Sequence, residues 1–124
     1  MTDGRRAPTT LAKTSGTGGL QVYVPLNSEA TFAQVKPFAR QVAELLAERR
    51  PGVTVDWSRN GPGKKTVAPY SLRKGERPAV STPVTWEEVA SGELDYDYEG
   101  VLARVDRDGD LFAPVLTLVQ TLPQ

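Results

Sequence analysis

Asp56 stands near the end of an alternating apolar run, Val53-Thr-Val-Asp-Trp57, and a basic, polar segment carrying Arg59, Lys64 and Lys65 follows it at once. A carboxylate at a strand end is a hard oxygen ligand for a divalent metal, while lysine and arginine neutralise phosphate, arginine bidentately. The two features side by side suit a metal and a phosphate. A solvent-facing Asp followed by a solvated loop describes the same residues more plainly. A second constellation is Lys13-Thr-Ser-Gly-Thr-Gly-Gly19. Amides freed by glycine, the hydroxyls of Ser15 and Thr17 and the charge of Lys13 can cradle a phosphate. Walker-loop spacing is absent, and the segment leads into a strand rather than opening a helix, so a flexible polar linker fits these residues too. A third run, Asp106-Arg-Asp-Gly-Asp110, places glycine too early for an EF-hand and lacks the closing Glu, and it reads as an acidic turn ending a helix.

The residue types that are missing narrow the chemistry. With no histidine and no cysteine, an imidazole base, a Ser/His triad, a thiol nucleophile, a disulfide and a His- or Cys-ligated zinc are all excluded. Any metal site must be all-oxygen, hence Mg²⁺, Mn²⁺ or Ca²⁺. The 124 residues suffice for one domain, and 39% hydrophobic with 24% charged residues is ordinary for a globular protein. No apolar run approaches a membrane span, and the polar N-terminus lacks the core of a signal peptide, so a cytoplasmic location is expected. A formal net charge of zero hides a segregation. Arg59, Lys64, Lys65, Arg73, Lys74 and Arg77 face only Glu76 in the middle of the chain, whereas acids dominate from Glu87 to Asp110.

These residues need a scaffold, and the patterning predicts an α+β one. Residues 1–12 are polar and aperiodic and read as a flexible tail, leaving 13–124 as the folded part. Leu20 to Pro25 alternates as a half-buried strand with Leu20, Val22 and Val24 on its inner face. Thr31 and Gln34 make a capping-box signature. Val35, Phe38, Ala39, Val42, Leu45 and Leu46 then recur at helical spacing, with Pro37 kinking the first turns and Pro51-Gly52 ending the helix. Val53–Trp57 is expected as a second strand and Thr66–Ala68 as a short return strand. Thr85-Trp-Glu-Glu88 is another capping box opening a short helix. Tyr98–Val105 follows as a second helix and Leu111–Leu122 as a third. The expected architecture is a small mixed or antiparallel sheet backed by one long helix, with short C-terminal helices.

Five segments in order carry a family resemblance: Lys13-Thr-Ser-Gly with Gly19-Leu-Gln-Val-Tyr-Val-Pro-Leu26, Val55-Asp-Trp-Ser-Arg-Asn60, Thr66-Val-Ala-Pro-Tyr-Ser-Leu-Arg73, Ser81-Thr-Pro-Val-Thr-Trp-Glu-Glu-Val89 and Arg107-Asp-Gly-Asp-Leu-Phe112. Together they resemble the C-terminal half of the polymerase domain of bacterial ATP-dependent DNA ligase D, a primase-polymerase of the archaeo-eukaryotic primase superfamily. The resemblance implies a DNA-directed nucleotidyltransferase that uses Mn²⁺ or Mg²⁺ to add nucleotides to DNA ends in non-homologous end joining, in the nucleoid-associated cytoplasm. It implies DNA ends and a nucleoside triphosphate as partners, and beside them a separate N-terminal half, a ligase or a Ku-like protein. Asp56 falls at the family's third metal-binding carboxylate, Ser15 at the serine of its triphosphate motif, and Arg73 at an arginine that contacts the incoming nucleotide. Lys13 and Thr17 join the phosphate site, and Arg59, Lys64 and Lys65 would meet DNA.

The departures are as informative. The family's metal site begins with a paired Asp-x-Asp upstream, which this chain lacks, and Asp95-Tyr-Asp97 lies in the wrong place to replace it. Gly18 stands where a basic residue is usual, Gln21 where a histidine is usual, and Arg59 where glutamine is common. Between the long helix and Val53 a strand and turn are reduced to Pro51-Gly52. One Asp supplies too little ligand charge for two metal ions, so the chain by itself is expected to be inactive as a polymerase. The alternative is a non-catalytic module that binds nucleotide or DNA-end phosphates.

Overall fold

The computed structural model describes residues 8–49, 52, 55–75, 78–92, 94 and 96–122. They divide into two compact units. One takes the chain up to Asn27 together with Val67–Gln120, and the other takes Ser28–Thr66 with the last residues. Among the described residues no helix is long and apolar enough to cross a membrane.

In the first unit, β1 (Leu11–Thr14) lies between β2 (Leu20–Tyr23) and β5 (Pro83–Val84), antiparallel to both. Pro83 lacks an N–H, and β5 has no further neighbour in the sheet, which is where a strand proline is tolerated. A second antiparallel pair joins β3 (Leu72–Arg73) to β4 (Ala79–Val80). α2 (Trp86–Ser91) opens with a complete capping box: the Thr85 hydroxyl accepts from the Glu88 amide, and Glu88 accepts from the Thr85 amide. α3 (Tyr98–Asp108) is capped by Asp97, which accepts from the Gly100 amide at 2.8 Å. Among the described residues, Ala12, Val80, Val84, Val101 and Phe112 form the buried hydrophobic core of this unit, with Tyr23 packed edge-on against Phe112 at 5.0 Å.

The second unit carries α1 (Phe32–Arg49), with Pro37 inside it. Half of the expected capping box forms, the Gln34 side chain accepting from the Thr31 amide at 2.9 Å.

The expected α+β class holds, with every strand pair antiparallel. Several local expectations are corrected. Leu11 and Ala12, read as the end of a tail, begin the central strand, and Ala12 is buried. Residues 1–7 lie outside the described residues. Val55–Trp57 is not a strand, and Val53 and Thr54 lie outside the described residues. The Asp56 side chain binds the backbone two residues on, a local bond that competes with a ladder. Thr66–Ala68 is likewise not a strand, and the strand in this stretch begins at Leu72.

Leu111–Leu122 contains only a 3₁₀ turn over Ala113–Leu116. Asn27 there donates to the Val115 and Leu118 carbonyls, both at 2.9 Å, and Gln120 donates through its amide to the Leu26 carbonyl, so helix partners are diverted. The inner face of β2 is also reversed. Gln21 and Tyr23 are half-buried, while Leu20 and Val22 are exposed. The cause is Lys13, which stands opposite Gln21 in the register and needs polar and aromatic company.

Candidate functional site

The segment after β1 folds into a turn built on one hydroxyl. Ser15 Oγ accepts from the Gly19 amide at 2.9 Å and from the Thr17 amide at 3.1 Å, and it shares a hydrogen bond with Thr17 Oγ1 at 3.1 Å. The Ser15 amide donates to the Gly19 carbonyl, closing the ring. Gly16 and Gly18 have φ of +81° and +96°, which favour glycine, and among the described residues neither spends its N–H on an acceptor in the chain. Arg73, on β3, donates from Nη1 to the Ser15 carbonyl at 3.0 Å. A Cβ on Gly16 would stand 2.5 Å from Arg73 Cγ, so only glycine lets the guanidinium arm lie across the turn. The result is a glycine turn with two uncommitted amides, one hydroxyl hydrogen left over from the Ser15–Thr17 pair and a guanidinium held across it, donors of the kind an anion needs.

Beneath this turn lies a polar core that sequence reading did not find. Lys13 and Ser81 are fully buried, Thr82 is 1% exposed and Thr14 is 4% exposed. Lys13 Nζ donates to Ser81 Oγ at 2.7 Å and to the Gln21 side chain, and it lies 5.7 Å from the centre of the Tyr23 ring. Ser81 Oγ donates to the Thr14 carbonyl at 2.7 Å, and Thr14 Oγ1 accepts from the Thr82 amide at 3.0 Å. Among the described residues no carboxylate forms an ion pair with Lys13. Burial, with the positive charge of Arg73 adding to it, lowers the ammonium to about 8. The ammonium is out of reach of solvent. Its link to the turn runs through Ser81, which donates to the Thr14 carbonyl. The only hint in the sequence was Ser81-Thr82 within a quoted motif, and its pairing with a residue 68 positions away could not be read from either end.

A second missed cluster joins α2 to α3. Arg104, 8% exposed, donates to both oxygens of Glu88 and to the Pro83 carbonyl at 3.0 Å, and it lies 4.6 Å over the Tyr96 ring. Nearby, Tyr70 has a left-handed φ of +68° and donates to Asp110. It sits in the turn, closed by the Ser71 amide on the Ala68 carbonyl, from which β3 carries Arg73.

Asp56, Arg59, Lys64 and Lys65 belong to the second unit and are all exposed. Asp56 Oδ1 accepts from the Ser58 hydroxyl at 2.6 Å and the Ser58 amide at 2.9 Å. These bonds hold its carboxyl below the usual range, and Arg59 and Lys64 add to the effect. Among the described residues no three His, Cys, Asp or Glu side chains gather to hold a metal. The oxygen donors present do not fit a two-metal centre.

Residues 7–112 match the family described as the LigD primase-polymerase domain. A multifunctional non-homologous end joining protein LigD of Mycolicibacterium smegmatis is 39% identical over 82% of this chain, which spans 15% of that relative. A bifunctional LigD of Bacillus subtilis is 29% identical over 82% of the chain and 19% of its own length. Among solved structures, the polymerase domain from Mycobacterium tuberculosis ligase D in complex with DNA matches with a TM-score of 0.81 and 34% identity. That match covers 90% of this chain and 44% of that one.

Proposed function

This chain belongs to the LigD primase-polymerase domain family, and from that premise we propose that it forms the triphosphate-binding and DNA-phosphate-binding part of an end-joining polymerase. The observation that carries the reading is the Ser15 turn with Arg73 drawn across it. The amides of Gly16 and Gly18 with the Ser15 and Thr17 hydroxyls would take phosphate oxygens, and Arg73 would neutralise their charge. Lys13 would add a positive field from below. Arg59, Lys64 and Lys65 would lie along the DNA, one partner the solved relative is known to hold. The relatives are far longer than this chain, so nucleotide transfer, end joining and recruitment by a Ku-like protein are proposed of the assembled protein only.

Asp56 is proposed as one carboxylate of a Mn²⁺ or Mg²⁺ site whose remaining ligands lie outside the described residues. No catalytic step is drawn through that metal, because the donors present do not make its site. The second reading, a binding module without chemistry of its own, is favoured by the same isolation of Asp56.

The test is binding of a 5′-phosphorylated DNA duplex with a 3′ overhang, followed by fluorescence anisotropy against salt. Changing Lys64 and Lys65 to Ala should weaken binding and reduce the salt slope by about one per lysine. Arg73→Ala should weaken competition by ATP while leaving the salt slope for DNA in place. DNA affinity indifferent to both lysines, or ATP competition indifferent to Arg73, would sink the corresponding half of the proposal.

A further inference from the structure

The second unit gathers more positive charge than the segment around Asp56 alone supplies. Lys36 and Arg40 are one turn apart on the same face of α1, and both are exposed. Like charges at this spacing repel on a helix. Both nevertheless converge on one indole: Lys36 Nζ lies 5.7 Å and the Arg40 guanidinium carbon 5.4 Å from the centre of the Trp57 ring. The negative face of the ring attracts both cations and holds them together. The turn after Trp57 brings a third cation. Asn60 donates through its backbone amide and its side chain to the Trp57 carbonyl, at 3.2 and 3.0 Å, and the Lys64 backbone amide donates to the Gly61 carbonyl at 3.3 Å. At Gly61, which is buried, an added Cβ would sit 4.0 Å from Lys36 Nζ and 3.9 Å from Lys64 Cγ. Lys36 and Lys64 thus flank the same point.

The acids nearby do not balance this group. Glu44 binds Arg40 Nε at 2.9 Å, but both side chains are more than 60% exposed, and such a pair contributes little. Asp56 hydrogen-bonds Ser58 and offsets charge on the Lys64 side of the group, leaving Lys36 and Arg40 over the ring. The cations come from a helical turn and a loop, and two of them share an apolar ring, so a ligand that offers both charge and ring surface meets more of the group than a small anion does. A chain of regularly spaced phosphates meets all of them, and an aromatic ring among such cations suits a strand whose bases are unpaired.

We infer that Lys36 and Arg40, held over the Trp57 ring, together with Lys64 beside Lys36 at Gly61, form a site for the sugar-phosphate backbone of single-stranded DNA. The inference rests on the proposed DNA-binding role of the same basic segment and extends it onto α1. In that role Trp57 preorganises the cations, and Lys36 and Arg40 carry contact charge that their helical spacing alone would disperse.

The test uses the full chain and a fluorescein-labelled single-stranded oligonucleotide in anisotropy titrations across a salt series, with circular dichroism confirming that α1 persists. Lys36→Ala with Arg40→Ala should weaken binding about tenfold and lower the salt slope by about 1.4, the share of two single-strand phosphate contacts. Trp57→Leu, which keeps every charge, should weaken binding several-fold without lowering the slope by as much. In a Trp86→Phe background, where Trp57 is the sole tryptophan, the oligonucleotide should change the indole emission, and a blunt duplex should change it less. Unchanged affinity and slope in the Lys36/Arg40 double variant, while Lys64→Ala with Lys65→Ala still weakens binding, would overturn this site and leave the proposed function standing. Absence of oligonucleotide binding by the unaltered chain would overturn both. Equal displacement by inorganic polyphosphate and by DNA, with no emission change, would overturn the assignment to a nucleic acid strand.

Discussion

Arg104→Ala should cost roughly 2–3 kcal/mol of folding stability, about 8–12 °C in melting temperature, and should flatten the acid limb of the stability profile. The guanidinium meets both Glu88 oxygens and the Pro83 carbonyl and covers the Tyr96 ring, so one side chain ties the end of β5, α2 and α3 together. Removing it leaves Glu88, whose side chain is 28% exposed, partly buried without its cation. That exposure admits water and keeps the cost below the 3–5 kcal/mol typical of a fully buried broken pair.

The pH dependence gives an independent readout. Hydrogen bonding from Arg104 is the main cause that lowers Glu88 from 4.5 to about 2. A carboxyl lowered on folding stabilises the fold above its unfolded value and loses that contribution as pH falls through the folded one. The unaltered chain should therefore lose on the order of 3 kcal/mol between about pH 4.5 and pH 2 from this group. Arg104→Ala should lose much less over that window. Glu88→Gln has no carboxyl to titrate in this window and should lose least of the three, while keeping an acceptor for the Thr85 amide. Urea unfolding at several pH values measures all three, and an Arg104→Ala profile parallel to that of the unaltered chain would refute the account.

Why this cluster escaped the sequence is instructive. The Thr85-Trp-Glu-Glu88 box is local, and both of its reciprocal bonds form. That the same Glu88 also receives Arg104, sixteen residues on and amid acids, depends on how α3 packs, which no spacing rule encodes. The long helix was legible because its apolar period is long and its cap is local. The strand expected at Val53–Trp57 failed among its described residues because alternation reports a face but not a partner. Asp56 and Ser58 offered the backbone a local bond instead. Leu20 and Val22 looked like an inner face by the rule that apolar residues point inward, and the rule lost to one buried lysine on the neighbouring strand. At the candidate site the residue types of the Ser15 turn were readable, whereas the Arg73 contact and the buried Lys13–Ser81 pair were not. Both are long-range consequences of β3 and β5 returning to β1.

Lys13→Met should make the chain more stable at pH 7 and should weaken its response to a triphosphate, a stability gain set against a functional loss. A buried ammonium with no carboxylate partner among the described residues is costly. The lowering from 10.5 to about 8 corresponds to roughly 3 kcal/mol of preference for the neutral amine. Methionine removes that cost but also the hydrogen bonds to Ser81 and Gln21, so the net gain at pH 7 should be about 1 kcal/mol. The sign with pH follows from proton counting. Between about pH 8 and 10.5 the unfolded lysine keeps its proton while the folded one has lost it, so stability of the unaltered chain rises with pH across that window. The advantage of Lys13→Met should therefore shrink above pH 8 and reverse near pH 10.5, where the neutral amine still bonds Ser81. A bound polyanion pulls the other way, because it favours the charged form. If the Ser15 turn holds a triphosphate, ATP should raise the melting temperature of the unaltered chain most below pH 8 and progressively less above it. Lys13→Met should show a smaller ATP shift with no such decline. Thermal unfolding with and without ATP from pH 6.5 to 9.5 measures both effects. A variant with the same ATP shift and the same pH trend as the unaltered chain would show that the buried charge serves neither binding nor stability. A smaller but equally pH-dependent shift would assign the titration to another group. The expected pattern is that of a charge kept at the expense of stability because an anion above it needs its field.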